Sequence, residues 1–229
     1  MINLIKIMLR GINIMSKIQE ISKAVQSGKS KIVGGLVEEA LGQGFNPSEI
    51  LNVGMIDAMS IVGEKFTKNE IFVPEMLVAA RAMKKGVEVL KPHLAGDESS
   101  SVGKMVIGTV SGDLHDIGKN LVVMMMESTG FEVIDLGVDV PVEKFVTAVK
   151  DNPDVVIVGV SALLTTTMPA MKDTVKALLE CECRDRIKVM VGGAPITQEF
   201  ANEIGADAYT EDAASAAQVA KSFATCASA

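Results

Sequence analysis

The chain is poor in the residues that usually mark a reactive site. It has no Trp, one Tyr, seven Phe and two His among 229 residues. Three cysteines, Cys181, Cys183 and Cys226, are an odd number, and the first two are separated by a single residue. That is neither a disulfide framework nor a zinc-site spacing, and it predicts reduced thiols in a cytoplasmic protein. Positive charge is scarce: 22 Lys and Arg stand against 29 Asp and Glu, for a net charge of −7. Nucleic-acid phosphates are bound by clustered cations, so nucleic acid is not the expected partner. No apolar run reaches the roughly 18–20 residues of a membrane span, so no membrane association is expected. The opening stretch MINLIKIMLRGINIM is apolar, but Lys6 and Arg10 interrupt it and no small-residue cleavage site follows. It reads as an N-terminal extension over residues 1–15.

What is present is aliphatic and thioether. Hydrophobic residues make up 48% of the chain and Met occurs 14 times, so a buried core is expected, with flexible side chains filling space that rings usually fill. Composition then divides the chain. AGDESSSVG, at 95–103, is small, polar and Ser-rich and predicts a linker over 96–103. Before it, over 16–95, apolar residues recur at helical spacing in four segments: Ile18, Ile21, Ala24 and Val25; then Ile32, Leu36, Val37, Ala40 and Leu41; then Ile50, Val53, Met55, Met59 and Val62; then Leu77, Ala80, Met83, Val87 and Leu90. Pro47 and Pro74 sit where the third and fourth segments begin. Short loops between four amphipathic helices predict a small antiparallel bundle.

After the linker, over 104–229, the rhythm becomes strand and helix in alternation. KMVIGTV, FEVIDLG, DVVIVGVSA, IKVMVGGA and ADAYT read as five strands, each followed by a helical segment. Five β-α units in succession predict an α/β fold: a Rossmann-like, flavodoxin-like, five-stranded parallel sheet. Ligands of such sheets sit outside the carboxyl ends of the strands, near the reversal in strand order.

One of the two histidines stands at such an end. TVSGDLHDIGKN, at 109–120, places Asp113, His115 and Asp116 directly after the first strand. The plainest reading is that Asp113 caps the next helix and His115 is a surface histidine. A metal-dependent hydrolase is a second reading, because HDIGK contains a His-Asp pair. Such a site needs several further His and Asp ligands, and the only other histidine is His93. A third reading makes His115 the ligand of a metal cofactor.

The third reading is carried by a resemblance. Asp113-Leu114-His115-Asp116-Ile117-Gly118 resembles the cobalamin-binding motif Asp-x-His-x-x-Gly. From about Ser16 to the C-terminus the chain resembles the corrinoid proteins of anaerobic methyltransferase systems, methylamine type, and the cobalamin module of methionine synthase. The resemblance implies that His115 replaces the corrinoid's own benzimidazole as lower axial ligand of cobalt, the base-off, His-on form. Cobalt takes a neutral imidazole nitrogen, and an unperturbed His, with pKa near ~6.5, is mostly neutral in cytoplasm. Asp113 is then the partner of the other ring nitrogen and Thr167 the hydroxyl beyond it, by alignment of VSALLTTTM with the family. Gly112 and Gly118 belong to the same motif. Ser161, Leu163 and Thr165 after the third strand, and Gly192 and Gly193 after the fourth, are implied to line the slot for the displaced nucleotide tail. Tyr209 is a candidate for its border. In the bundle, Phe66 aligns with a residue that touches the methyl-bearing face, and Val73 stands where the methionine synthase module has leucine.

The implied function is that of a methyl carrier. A substrate-specific methyltransferase would deliver a methyl group from a methylated amine or similar donor to cobalt(I). A second methyltransferase would move it from methyl-cobalt(III) to a thiol or folate-type acceptor, and a reductive activation protein would restore cobalt(I). A cobalamin-dependent sensor or storage protein without methyl transfer is the alternative. The related mutase subunits typically lack a bundle, and the light-sensing repressors add a DNA-binding domain, for which the roughly 15 residues before the bundle are too few.

Overall fold

The computed structural model describes residues 17–94 and 102–227, and the chain divides into two units, Met1–Ser100 and Ser101–Ala229. The expected extension over 1–15 and most of the expected linker lie outside the described residues. The first unit is helical, with α1 (17–26), α2 (Ser30–Gly42), α3 (Pro47–Glu49), α4 (Asp57–Thr67) and α5 (Val73–Leu94). The Asn46 side chain accepts from Ser48 N and Pro47 follows it, so the third rod starts where that proline predicts. α3 then passes into a π-helical stretch, Ile50–Ile56, before α4, which makes one rod of the three. Four helical rods therefore form the described part of this unit.

Two expected core positions are exposed. Ile32 is exposed, because the α2 stripe that faces its neighbours is Val33, Val37 and Ala40. Val53 is exposed because it lies in the π-helical stretch, where bonds close over five residues and α spacing no longer selects a face.

The second unit is a five-stranded, all-parallel sheet in the order β2-β1-β3-β4-β5. Its strands are β1 (Gly103–Thr109), β2 (Phe131–Asp135), β3 (Val155–Ser161), β4 (Lys188–Gly192) and β5 (Ala208–Tyr209). β1 takes in Gly103, the last residue of the expected linker, and β5 is shorter than ADAYT predicts. The helices are α6 (Ile117–Ser128), α7 (Val142–Asp151), α8 (Met168–Leu179), α9 (Gln198–Ile204) and α10 (Ala213–Ala227). α6 packs with α10, whereas α7, α8 and α9 share a core with the opposite face of the sheet. Val106, Val158 and Phe145 are fully buried there, and each such side chain stabilises by about 1.5–3 kcal/mol.

The cysteines depart from expectation. Cys181 and Cys183 form a disulfide across one intervening residue, with Cα atoms 5.2 Å apart. Both sit between the end of α8 and the short 3₁₀ turn Arg184–Arg186, where the tightly turning chain brings the two side chains together.

Candidate functional site

Strand order fixes where a ligand edge lies. β1 and β3 are neighbours, yet the chain leaves β1 toward α6 and β3 toward α8, on opposite faces. The sheet therefore opens between these two carboxyl ends. Thr109, Ser161 and Gly192 stand in one row across β1, β3 and β4, so the segments that follow them share that edge.

Asp113 bridges the opening. Its side chain is 0% exposed, and that of His115 is 50% exposed. Oδ1 accepts from His115 Nδ1 at 2.7 Å and from His115 N at 3.1 Å. Oδ2 accepts from Leu163 N at 2.7 Å, Leu164 N at 3.2 Å and Thr167 Oγ1 at 2.8 Å. Burial alone would raise the Asp113 carboxyl, but the Leu163 N–H, the His115 ring and N–H and the Thr167 hydroxyl outweigh it and hold the group well below the usual carboxylate range. An ionised carboxylate only accepts, so Nδ1 carries the ring proton. In the neutral ring Nε2 is then the lone-pair nitrogen, and no described residue hydrogen-bonds to it.

This geometry corrects the capping alternative. Asp113 does not cap α6; Asp116 holds that position, and its Oδ2 accepts from Asn120 Nδ2. The backbone around His115 is fixed as well. Thr109 Oγ1 donates to His115 O at 2.9 Å. Gly112 turns with φ +81°, a conformation that favours glycine. Behind the loop, the buried Lys119 ammonium pairs with Asp135 and donates to Asn120 Oδ1, which ties α6 to β2.

Other expected residues sit around this centre in different ways. Leu114, Ile117, Leu163 and Leu164 are large apolar side chains left exposed at this edge. Thr165 is exposed and opens the 3₁₀ turn that ends at the buried Thr167. Ser161 is half-buried and gives its carbonyl to Val110 N. Gly193 has a reason within the protein itself: at φ +131°, a Cβ would fall 1.8 Å from Ala162 O. Gly118 is the reverse case, an exposed helical glycine whose Cβ would meet no protein atom within 4 Å. Tyr209 is half-buried on β5, opposite Val191, and burial together with Glu211 and Glu199 raises its hydroxyl above the ordinary range. Phe66 and Val73 belong to the helical unit, on α4 and at the first residue of α5, and both are half-buried.

Sequence reasoning missed the Leu163 and Leu164 amides, because main-chain donors leave no residue signal. It also missed Thr109 and Lys119, which lay within the quoted motif, and Asp139, whose side chain reaches Gly112.

Two family models, each described as a B12 binding domain, match residues 103–218 and residues 17–91. Dimethylamine corrinoid protein 1 of Methanosarcina acetivorans is 46% identical over 206 residues, 89% of this chain and 95% of that protein. This chain belongs to the corrinoid protein family. Among solved structures, the methanol:cobalamin methyltransferase complex of Methanosarcina barkeri matches the corrinoid protein with a TM-score of 0.80 at 30% identity, over 92% of this chain and 80% of that one. A cobalamin-binding protein of Desulfitobacterium hafniense matches with a TM-score of 0.76 at 32% identity, over 90% and 98% of the two chains. Cobalamin is thus the cofactor of this corrinoid protein.

Its residues fit that cofactor. No group of three or more His, Cys, Asp or Glu among the described residues could hold a bare metal ion. A metal that a macrocycle already holds would need only one donor from the protein, and the His115 imidazole with its fixed tautomer would supply it. The exposed leucines and Ile117 would offer apolar surface to such a cofactor, and Gly118 leaves open space at the first turn of α6. No described helix is long and apolar enough to cross a membrane.

Proposed function

We propose that this corrinoid protein is a methyl carrier for a methylated-amine methyltransferase system. The observation that carries the reading is the pair at the sheet edge: Asp113 is buried and holds Nδ1, while Nε2 of the half-exposed His115 is left open to a ligand. Cobalamin, when bound, supplies the cobalt on which the methyl group rides. His115 Nε2 would hold the cobalt from the protein side, in place of the cofactor's own benzimidazole. Asp113 holds the Nδ1 proton and the ring orientation, and Thr167 donates to the far oxygen of Asp113. Buried and ionised beside the ring, Asp113 would stabilise positive charge on the imidazole. Gly112, Leu114, Asp116, Ile117 and Gly118 border the ring. Ser161, Leu163, Thr165, Gly192, Gly193 and Tyr209 would border the tail slot, and Phe66 and Val73 of the helical unit keep the cofactor-binding role that the family resemblance implies.

The relatives favour the carrier role. One is a dimethylamine corrinoid protein and another lies in a methyltransferase complex. The donor-side partner is therefore a substrate-specific methyltransferase. On the acceptor side a second methyltransferase serves a thiol or folate-type compound, and a reductive activation protein repairs oxidised cofactor. The test is a reconstituted assay. Full-length protein loaded with hydroxocobalamin and reduced is mixed with a methylamine-type methyltransferase, dimethylamine and a thiol-directed methyltransferase. Methylated thiol formed only with loaded protein supports the carrier reading. Tight cofactor binding without transfer from any methylated amine, methanol or methoxylated aromatic overturns it in favour of a sensor or storage protein.

A further inference from the structure

The segment between β1 and α6 is held from outside at a point the motif does not contain. Asp139 lies in the turn between β2 and α7, at φ +50°, a left-handed backbone that non-glycine residues adopt infrequently and Asp or Asn tolerate best. Its side chain and main chain both face the motif. Oδ1 accepts from Gly112 N at 2.7 Å and, at the longer distance of 3.5 Å, from Ser111 Oγ. Its own N donates to Asp113 O at 2.9 Å. The next residue continues the clasp, since Val140 N donates to Thr109 O and Val140 bridges Val110 in parallel.

The consequence follows from the order of attachments. The motif backbone has a local bond of its own, Asp113 N to Val110 O, and the Thr109 hydroxyl on the His115 carbonyl. Between those anchors, Gly112 turns with positive φ, and it is the most deformable point of the loop. The charged acceptor on its N–H comes from Asp139. A carboxylate bond to a peptide N–H is short and roughly twice as strong as a neutral one. The same Asp139 grips the carbonyl of Asp113, whose carboxylate orients the His115 ring. We infer that Asp139 is a positioning residue for the axial ligand: it clamps the chain at Gly112 N and Asp113 O from the neighbouring strand's turn, so that His115 Nε2 meets the metal in one orientation. The aspartate is exposed and packs no core, so its conformation is explained by this clamp and not by burial.

This inference rests on His115 being the axial ligand, and the experiment separates the two. Full-length wild type, His115→Ala, Asp139→Gly and Asp139→Asn are prepared with ¹⁵N-labelled histidine and loaded with cobalamin, which is then reduced to the cobalt(II) state. The nitrogen splitting in the electron-resonance spectrum reports the fraction of metal bearing the protein's labelled imidazole, as distinct from benzimidazole. Asp139→Gly keeps the left-handed backbone and removes only the acceptor. It is expected to remain folded with a somewhat lower unfolding midpoint, to lower the His-ligated fraction and to release cofactor about 10-fold faster, the lower end of what such supporting groups contribute. Asp139→Asn retains an oxygen acceptor and tolerance of positive φ, and is expected to recover most of the His-ligated fraction. A wild-type spectrum for Asp139→Gly, failure of Asp139→Asn to recover, or unfolding of both variants overturns the inference. If His115→Ala keeps the labelled-nitrogen splitting of wild type, the ligand assignment itself fails.

Discussion

Asp113 and His115 are two residues apart, yet one is wholly buried and the other half exposed, with Oδ1 and Nδ1 2.7 Å apart. The turn at Gly112 sends the carboxylate inward and leaves the imidazole at the ligand edge. A buried anion thus acts on a solvent-facing base, and each prediction below tests one side of that arrangement.

Replacing His115 by Ala removes the only group at this edge with an open imidazole nitrogen. The half-exposed ring packs little core, but its Nδ1 donates to the buried Asp113 carboxylate, so the apo protein should lose about 1.5–3 kcal/mol, the range for hydrogen bonds to charged groups. Cobalamin taken up by the variant should keep benzimidazole on the metal or bind without a lower ligand. Absorption spectra of reconstituted wild type and variant check this, and identical spectra would reject the assignment.

Asp113→Asn places an amide N–H₂ against donors that expect an anion. The amide nitrogen cannot accept, so either the two bonds from His115 or the three from Leu163, Leu164 and Thr167 are disrupted. The expected cost is about 1–3 kcal/mol in denaturant unfolding, with cofactor retention weakened about 10–100-fold. The acid limb of stability should also change. Asp113 titrates near pH ~3.9 in an unfolded chain and well below that when folded. A depressed carboxyl contributes its stability in full above the unfolded value and loses it as pH falls toward the folded one. The apo wild type should therefore lose stability more steeply than Asp113→Asn as pH falls below about 4. Parallel curves would show that the carboxylate is not the group responsible.

Thr167→Ala deletes a hydroxyl donor to the buried carboxylate and should cost about 1.5–3 kcal/mol, the range for hydrogen bonds to charged groups. Thr167→Ser keeps the donor and should restore most of that loss. If serine fails where threonine succeeds, the methyl group and not the hydroxyl is what the site needs. Equilibrium unfolding and the rate of cofactor release provide both readouts.

Gly118→Ala and Gly193→Ala should behave oppositely. At Gly118 no protein atom opposes a methyl group, and alanine is the better helix former by up to about 1 kcal/mol. The apo protein should be unchanged or more stable, while cofactor uptake falls because the methyl occupies ring space. At Gly193 the methyl would collide with the Ala162 carbonyl in a backbone that disfavours side chains, so the apo protein should lose at least roughly 1–3 kcal/mol. Thermal melts with and without cobalamin separate the two, and equal effects of Gly118→Ala on apo and loaded protein would exclude a ligand at that turn.

Periodicity made the element order legible. Four helical rods and five β-α units follow from apolar spacing and from Pro and Gly at their ends, because local chain geometry dictates which residues share a face. Departures came where local rules stop. Val53 is exposed because a π-helical stretch shifts the register, and β5 keeps only Ala208 and Tyr209 because pairing with β4, at Met190 and Val191, ends there. The Cys181–Cys183 disulfide depends on a turn that spacing alone does not specify.

By itself the sequence determined the fold class and placed Asp113, His115 and Gly118 after the first strand, since those residue types in that spacing are properties of the chain. Only the tertiary structure decided what the Asp113 carboxylate does. Leu163, Leu164 and Thr167 reach it across 50 to 54 positions of sequence, and Asp139 reaches Gly112 across 27. Parallel strands put those turns side by side at one edge, and main-chain N–H groups, which every residue but proline carries, become a site only when the sheet points several of them at one buried charge.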